Sequence, residues 1–300
     1  METKLHRTHE DGETNGVSWT VDGIEMGHSR SVFRKATSFT GKSDKDVVRL
    51  HFGLKGDYCF DYRQLNNSYD LVGSHHNLMY SQDFEITVHN KTLEVETFGV
   101  QFPREQFLRY TEKASDTLKR FAEQVAEGRN VMLSPHWGSI SPAIQQVIDE
   151  VIYCKYGGDL KQMFLLSKSI ELLALCGDAY DAAMQRGELF IKSKSDKEKI
   201  IAVRDLINDH VTCPPNLSQI ARAVGLNEYK LKRGFREIFS TTVFGYLAEQ
   251  RLHLARRYLQ DTHKTAAEIA YELGYATPQH FSNMFRKRFG LTPNAVRNNP

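Results

Sequence analysis

The 300-residue chain contains no apolar run near the ~18 to 20 residues that a membrane-spanning helix needs, which excludes a membrane partner of that kind. Its opening stretch, METKLHRTHEDGETNG, is polar and lacks the apolar core of a secretion signal. The expectation is a cytoplasmic protein with a loose tail over residues 1–16. Cysteine is scarce: Cys59, Cys154, Cys176 and Cys213 lie 95, 22 and 37 residues apart. That spacing matches neither a zinc knuckle nor a CxxC redox pair, and reduced structural thiols are expected. With 8 prolines and 20 glycines the chain is neither disordered nor collagen-like. No GxSxG elbow, phosphate-cradling glycine loop or dinucleotide fingerprint occurs.

What the chain does contain is ordinary globular material divided unevenly by charge. Hydrophobic residues make up 40% and charged residues 25%, and the length suits two domains, each able to bury a core. The formal net charge of +2 hides an asymmetry, because residues 196–300 hold 16 Lys and Arg against 10 Asp and Glu while residues 1–195 hold 23 against 27. A basic C-terminal module tethered to a mildly acidic one points to a polyanionic partner for the C-terminal part alone.

Patterning is strand-like first and helical afterwards, with the change near Pro103. Segments 47–54, 57–62, 78–80, 84–88 and 93–100 are short, rich in β-branched and aromatic residues, and parted by Gly, Asn, Asp and Ser, as in a small antiparallel β-sandwich or barrel. The spacing of Phe107, Leu108, Leu118, Phe121 and Val125 predicts a helix over 104–127 closed by Gly128, and further helices are expected over 142–155 and 159–176. On the last of these, Met163, Leu166, Ile170, Leu173 and Leu175 form a stripe that suits either a dimer seam or packing on the β-domain. The polar stretch 178–195 reads as a linker, leaving 17–177 and 196–300 as the two domains of an α+β chain.

Residues 196–300 hold a weak duplication with a period near fifty. Ile220-Ala221-Arg222-Ala223-Val224-Gly225-Leu226 recurs as Ile269-Ala270-Tyr271-Glu272-Leu273-Gly274-Tyr275, and Phe235-Arg236-Glu237-Ile238-Phe239 as Phe285-Arg286-Lys287-Arg288-Phe289. Each copy opens with a capping-box pattern, Asn216-x-x-Gln219 or Thr265-x-x-Glu268, and glycine closes the short helix that follows. Asn227, or Thr277 followed by Pro278, then caps a second helix. Its apolar face is Leu231, Phe235 and Phe239, or Phe281, Phe285 and Phe289, and its other face carries cations and hydrogen-bonding groups. Short helix, glycine turn and second helix make a helix-turn-helix, here twice in tandem.

Residues 197–297 resemble the AraC/XylS family of bacterial transcription regulators. Besides the repeat, the resemblance is carried by Leu231-x-Arg233-x-Phe235, by Tyr246-Leu247-x-x-x-Arg251-Leu252-x-x-Ala255-x-x-Tyr258-Leu259 in a connecting helix, and by Gly290-Leu291-Thr292-Pro293. It implies that the two motifs enter successive major-groove segments of double-stranded DNA, roughly one turn (~34 Å) apart. It also implies a sequence-specific regulator, an activator in contact with RNA polymerase, and not an enzyme. By the same resemblance Tyr229, Lys232 and Arg233 face bases, with Arg236 on phosphate. Gln279, His280 and Asn283 face bases in the second motif, with Arg286 on phosphate or groove wall. For each side chain a phosphate-only or solvated role stands beside base reading. Two departures matter: Gly234 replaces a larger apolar residue and softens the first motif, and Asn283 offers an adenine-suited amide where arginine is common.

The N-terminal half, by its β-then-helix order, resembles the cupin-like effector domain with helical annex of that family. Leu50-His51-Phe52-x-Leu54-Lys55-Gly56, His76-Asn77-Leu78-Met79-Tyr80 and Ser167-Lys168-x-x-Glu171-Leu172-Leu173-Ala174-Leu175 resemble the branch of siderophore-responsive regulators. The implied roles are dimerisation and binding of a small-molecule effector, with Phe52, Tyr58, Tyr62 and Met79 as candidate lining residues, although core packing accounts better for most of them. A ligand-independent dimeric architectural protein is the alternative. A metal-dependent cupin enzyme using His51, His75 and His76 is disfavoured, because adjacent His75 and His76 on a strand project to opposite faces. No cofactor or metal is expected.

Overall fold

The computed structural model describes residues 2–185, 190–191 and 193–297, and the chain divides into two compact units, 1–187 and 188–300. Unit 1 is built on two antiparallel sheets, with strands numbered in chain order. The larger sheet runs β1 (Glu2–His9), β2 (Gly12–Val21), β3 (Ile24–Phe33), β10 (Glu94–Pro103), β5 (Val47–Lys55), β8 (His75–Tyr80) and β11 (Val131–Met132), and β12 (Gly138–Ser139) also pairs with β8. The smaller runs β4 (Ser38–Ser43), β9 (Phe84–Asn90), β6 (Asp57–Tyr62) and β7 (Asn67–Val72).

The alternation of side chains along a strand gives the larger sheet two buried faces. One, with Phe33, Met79 and Val95, packs against Tyr58, Phe60, Tyr62, Leu71 and Val88 of the smaller sheet. The other, with Val48, Leu50, Phe52, Leu78, Tyr80, Phe98 and Val100, packs under the helices α1 (Arg104–Thr111), α2 (Asp116–Ala126), α3 (Pro142–Ile152) and α4 (Gly158–Gln185). Strand β8 is therefore buried on both faces along its whole length. His75 and His76 point to opposite faces, as the alternation requires: His75 against Tyr58 and Trp137, His76 against Phe52 and Tyr180.

Three expectations are corrected. Residues 1–16 are not a loose tail: β1 pairs with β2 in register from Glu2–Trp19 to His9–Gly12, and Trp19 Nε1 donates to Glu2 Oε2 at 3.2 Å. Every side chain of β1 is exposed, so the strand buries no apolar residue and leaves no apolar pattern to read. The helix expected over 104–127 is two, because the chain leaves the first after Thr111, whose hydroxyl bonds back to Phe107 O at 2.8 Å, and re-enters after Ser115. The expected linker begins as helix: α4 continues to Gln185, anchored by buried Tyr180, whose hydroxyl donates to His76 O at 2.7 Å. Residues 186–189 and 192 of that linker lie outside the described residues. The four cysteines are free thiols. No helix among the described residues is long and apolar enough to cross a membrane.

Unit 2 is helical: α5 (Lys194–Asp209), α6 (Leu217–Ala223), α7 (Glu228–Phe239), α8 (Val243–Asp261), α9 (Ala266–Glu272), α10 (Pro278–Phe289) and α11 (Pro293–Arg297). It has two separate cores. Ile200, Val203, Ile220, Leu231, Phe235 and Phe239 form the first, and Leu259, Ile269, Ala270, Phe281 and Phe285 the second. Helix α8 belongs to both, giving Val243 and Leu247 to the first and Leu252, Ala255 and Leu259 to the second.

Candidate nucleic-acid interface and inter-sheet cavity

Each half of unit 2 assembles its helix pair by the same local chemistry. Both capping boxes are formed: the Asn216 and Thr265 side chains accept from Gln219 N and Glu268 N, and the Gln219 and Glu268 side chains accept in return from the cap backbone. Each short helix ends in the same turn. Gly225 (φ 65°) and Gly274 (φ 76°) take the left-handed conformation, and the following amides, Leu226 N and Tyr275 N, reach back to Ala221 O and Ala270 O at 2.9 Å. Asn227 and Thr277 cap α7 and α10 through Lys230 N and His280 N.

The register of α7 and α10 then sorts their side chains. Leu231, Phe235, Phe281 and Phe285 are fully buried, whereas Tyr229, Lys232, Arg233, Arg236, Gln279, His280, Asn283 and Arg286 are all exposed. The eight residues named from sequence thus lie on the outward faces of two equivalent helices. Helix α8, at about 28 Å for 19 residues, links the two cores. Its Arg251 also holds the loop ahead of α6, donating to Val211 O at 2.9 Å.

The segment preceding α5 clips onto α7, which sequence reasoning missed. Phe190 N and Ile191 N donate to the two carboxylate oxygens of Glu237 at 2.8 and 2.9 Å. The Arg233 guanidinium lies 4.2 Å over the Phe190 ring and donates to Tyr229 Oη at 3.0 Å. Gly234, expected to soften the motif, is buried where Ile191 and Ile200 fill the space of a side chain.

Unit 1 holds a cavity of about 280 Å³ between its sheets, near the lower end of small-molecule sites. Tyr58 and Met79 are among its lining residues, together with Arg49, His51, Gln101, Phe60, Phe84, Ile86, Val88, Gly41 and Gly99. Phe52 and Tyr62 do not. Phe52 points to the helix-covered face because it follows His51 on the strand, and Tyr62 is closed into the core with its hydroxyl donating to Ser81 Oγ at 2.9 Å. His51 Nε2 lies 2.6 Å from Tyr58 Oη, which lies 3.0 Å from His75 Nε2. Burial holds His51 down to about 3 and His75 to about 4, and pushes the Tyr58 phenol up, so the three share hydrogen bonds as neutral groups. Among the described residues no group of three or more His, Cys, Asp or Glu is placed to hold a metal ion. A spaced polar pair such as Arg49-x-His51 in an apolar strand was the signal for the missed lining residues.

Comparison with known proteins places two family models on the chain: the regulatory protein PchR N-terminal domain over residues 16–189 and a helix-turn-helix domain over residues 220–299. Regulatory protein PchR of Pseudomonas aeruginosa is 37% identical over 119 residues, which is 40% of either chain. Regulatory protein SoxS of Escherichia coli K12 is 35% identical over 98 residues, covering 32% of this chain and 92% of SoxS. Among solved structures, a transcriptional regulator with an AraC-type DNA-binding domain from Chromobacterium violaceum is 29% identical with a TM-score of 0.33, over 35% of this chain and 95% of that one.

Proposed function

The chain belongs to the AraC/XylS family of transcription regulators, in the group that carries the PchR N-terminal domain, and from that premise we propose a sequence-specific DNA-binding regulator controlled by a small effector. In this reading unit 2 places α7 and α10 in successive major-groove segments, and unit 1 takes the effector into its cavity. The observation that carries it is the paired construction of unit 2, in which two helices with matching caps, turns and registers each present an exposed row of cations and hydrogen-bonding groups.

Arg233 is the base reader of the first motif, its fork suited to guanine O6 and N7, with Tyr229 and Lys232 beside it and Arg236 on phosphate. Gln279, His280 and Asn283 read bases from α10, with Arg286 on the backbone. The protein acts in the cytoplasm as a homodimer and as an activator in contact with RNA polymerase. For dimerisation the support is on α4, where Leu160, Met163 and Ile170 are exposed at helical spacing while Leu173 is committed to the core. Catalysis has no part in this reading.

A randomised-site binding selection on wild type, Arg233→Ala, Arg236→Ala and Asn283→Arg tests it. Arg233→Ala is expected to cost about 1 to 3 kcal/mol on the best site and to relax one guanine. Arg236→Ala should weaken all sequences alike, and Asn283→Arg should turn an adenine preference toward guanine. A motif unchanged by Arg233→Ala and by Asn283→Arg would remove these side chains from the base edges.

A further inference from the structure

Across the floor of the unit 1 cavity, Arg49 sits opposite Gln101 on β10 and Met79 on β8, and all three line the space. Arg49 is 7% exposed, and its guanidinium lies 4.2 Å over the Phe84 ring. It donates to Val47 O at 3.1 Å, Ser43 Oγ at 3.0 Å and Lys45 O at 3.3 Å. Among the described residues no carboxylate forms an ion pair with it. Asp46, three residues away, instead accepts from Tyr80 Oη at 2.8 Å and faces Arg104 at 3.7 Å. Lys42, the other cation of the wall, is turned to Glu85 at 3.1 Å. A guanidinium has five donors, so two remain; burial disfavours its charge, and Asp46, which favours that charge through space, makes no direct ion pair with it.

The second observation is independent of charge. Gly41 and Gly99 both line the cavity from within strands, where β-branched residues are ordinarily favoured. Neither needs a glycine conformation, and a β-carbon would meet nothing nearer than 3.7 Å, from Ile86 Cγ1 at Gly41 and from Leu50 O at Gly99. Space that side chains would fill is thus left open in the cavity that Arg49 lines. The remaining walls, Phe60, Phe84, Ile86, Val88 and Met79, are apolar, and the His51–Tyr58 pair supplies a second polar point.

Resting on the reading of this cavity as the effector site, we propose that its ligand is an organic carboxylate with an aromatic or branched apolar body. The carboxylate is received by Arg49, and the body lies over Gly41 and Gly99. The charge complement sets the class: the acid supplies the direct carboxylate contact that Arg49 lacks among the described residues, and a neutral analogue of the same shape does not.

The test uses the full chain and two probes of one shape, 4-phenylbutyrate and its primary amide, with binding read by calorimetry and by thermal shift at up to millimolar concentration. Wild type is expected to bind the acid at least about tenfold more tightly than the amide, as a charge-assisted hydrogen bond to a free Arg49 donor requires. Arg49→Met should abolish that preference, Arg49→Lys should keep part of it, and Gly99→Leu should remove binding of both probes by filling the space. Should Arg49→Met fail to fold, the wild-type comparison of acid with amide still decides. Equal binding of acid and amide, both lost in Gly99→Leu, overturns the carboxylate assignment and leaves the cavity as the effector site. Acid binding that survives Gly99→Leu overturns both readings, and absence of binding by either probe overturns the proposed ligand class.

Discussion

At Gly234 a β-carbon would lie 2.7 Å from Ile191 Cδ1 and 3.0 Å from Ile200 Cδ1. The glycine costs α7 about 1 kcal/mol of helix propensity relative to alanine. Against that cost, Ile191 is buried on the helix and its amide is fixed by Glu237. The missing side chain of the family pattern is thus supplied from another part of the chain, and the first motif is packed where sequence reasoning expects it to be soft. Gly234→Leu alone should overpack the site and cost about 1 to 3 kcal/mol, and Ile191→Ala alone should open a cavity and cost about 2 to 4 kcal/mol. The two together should cost clearly less than their sum, because the leucine then occupies the space that Ile191 leaves. Urea unfolding of the four proteins followed by far-ultraviolet circular dichroism measures the coupling, and strict additivity would show that Ile191 does not substitute for the residue absent at 234. The eight outward residues of α7 and α10 were legible without a structure, since caps and turn glycines fix the register of a helix locally. Phe190 and Ile191 were not legible, because nothing in a polar linker states which helix its end will cover.

Strand β8 has a titratable ring on each of its faces, and with His51 beside His75 these rings shape how acid acts on unit 1. Burial holds both His75 and His76 down to about 4 from an ordinary 6.5, and the two rings are 5% and 0% exposed as residues. Above pH 6.5 both are neutral whether the chain is folded or not, so they add no pH dependence. Between 6.5 and about 4 the unfolded chain takes up protons that the folded one refuses, and stability falls with pH by about 1.4 kcal/mol per unit for each ring. Most carboxylates remain ionised through the upper part of this window, so a loss that starts near pH 6 belongs to the imidazoles. Both tryptophans, Trp19 and Trp137, lie in unit 1, so their emission follows that unit alone. The urea midpoint read this way should drop between about pH 7 and about pH 5, and the drop should shrink in His76→Gln. A flat midpoint would mean that protonation of these rings costs the fold nothing.

The strands themselves were unevenly legible. Those with apolar alternation, β5, β6, β9 and β10, were found close to their limits, while β1 and β4 carry polar side chains on both faces and gave no period. The β2–β3 hairpin had a usable signal in Asp22-Gly23, where both residues take positive φ as a two-residue turn demands. The cavity was half legible: aromatic content pointed to Tyr58, but whether an aromatic lines a space or fills a core depends on which face its strand presents, and that is set by pairing between distant segments. Arg49 meets Gln101 and Met79 only through the register of three strands.

For the molecule as a whole, the charge division and the structural division nearly coincide, but not quite, and the difference is testable. The basic excess lies in residues 196–300, whereas the compact helical unit begins at 188. Between the two limits lies the clip in which Phe190 covers Arg233 and both backbone amides bind Glu237. A fragment of residues 188–300 should therefore fold and bind duplex DNA without unit 1. Its affinity should fall by orders of magnitude between about 50 and about 200 mM salt, because released counterions supply most of the free energy. A fragment of residues 194–300 keeps nearly all of the charge but loses the clip. It should show the same salt slope, since the phosphate-facing cations are unchanged, but a lower melting temperature and poorer discrimination at the base facing Arg233, whose guanidinium is no longer held against Phe190. Mobility-shift titrations of both fragments at several salt concentrations, on the best site and on a variant with the preferred guanine replaced, separate the two effects. If the shorter fragment equals the longer in stability and discrimination, residues 190 and 191 are linker and the reading unit begins at α5.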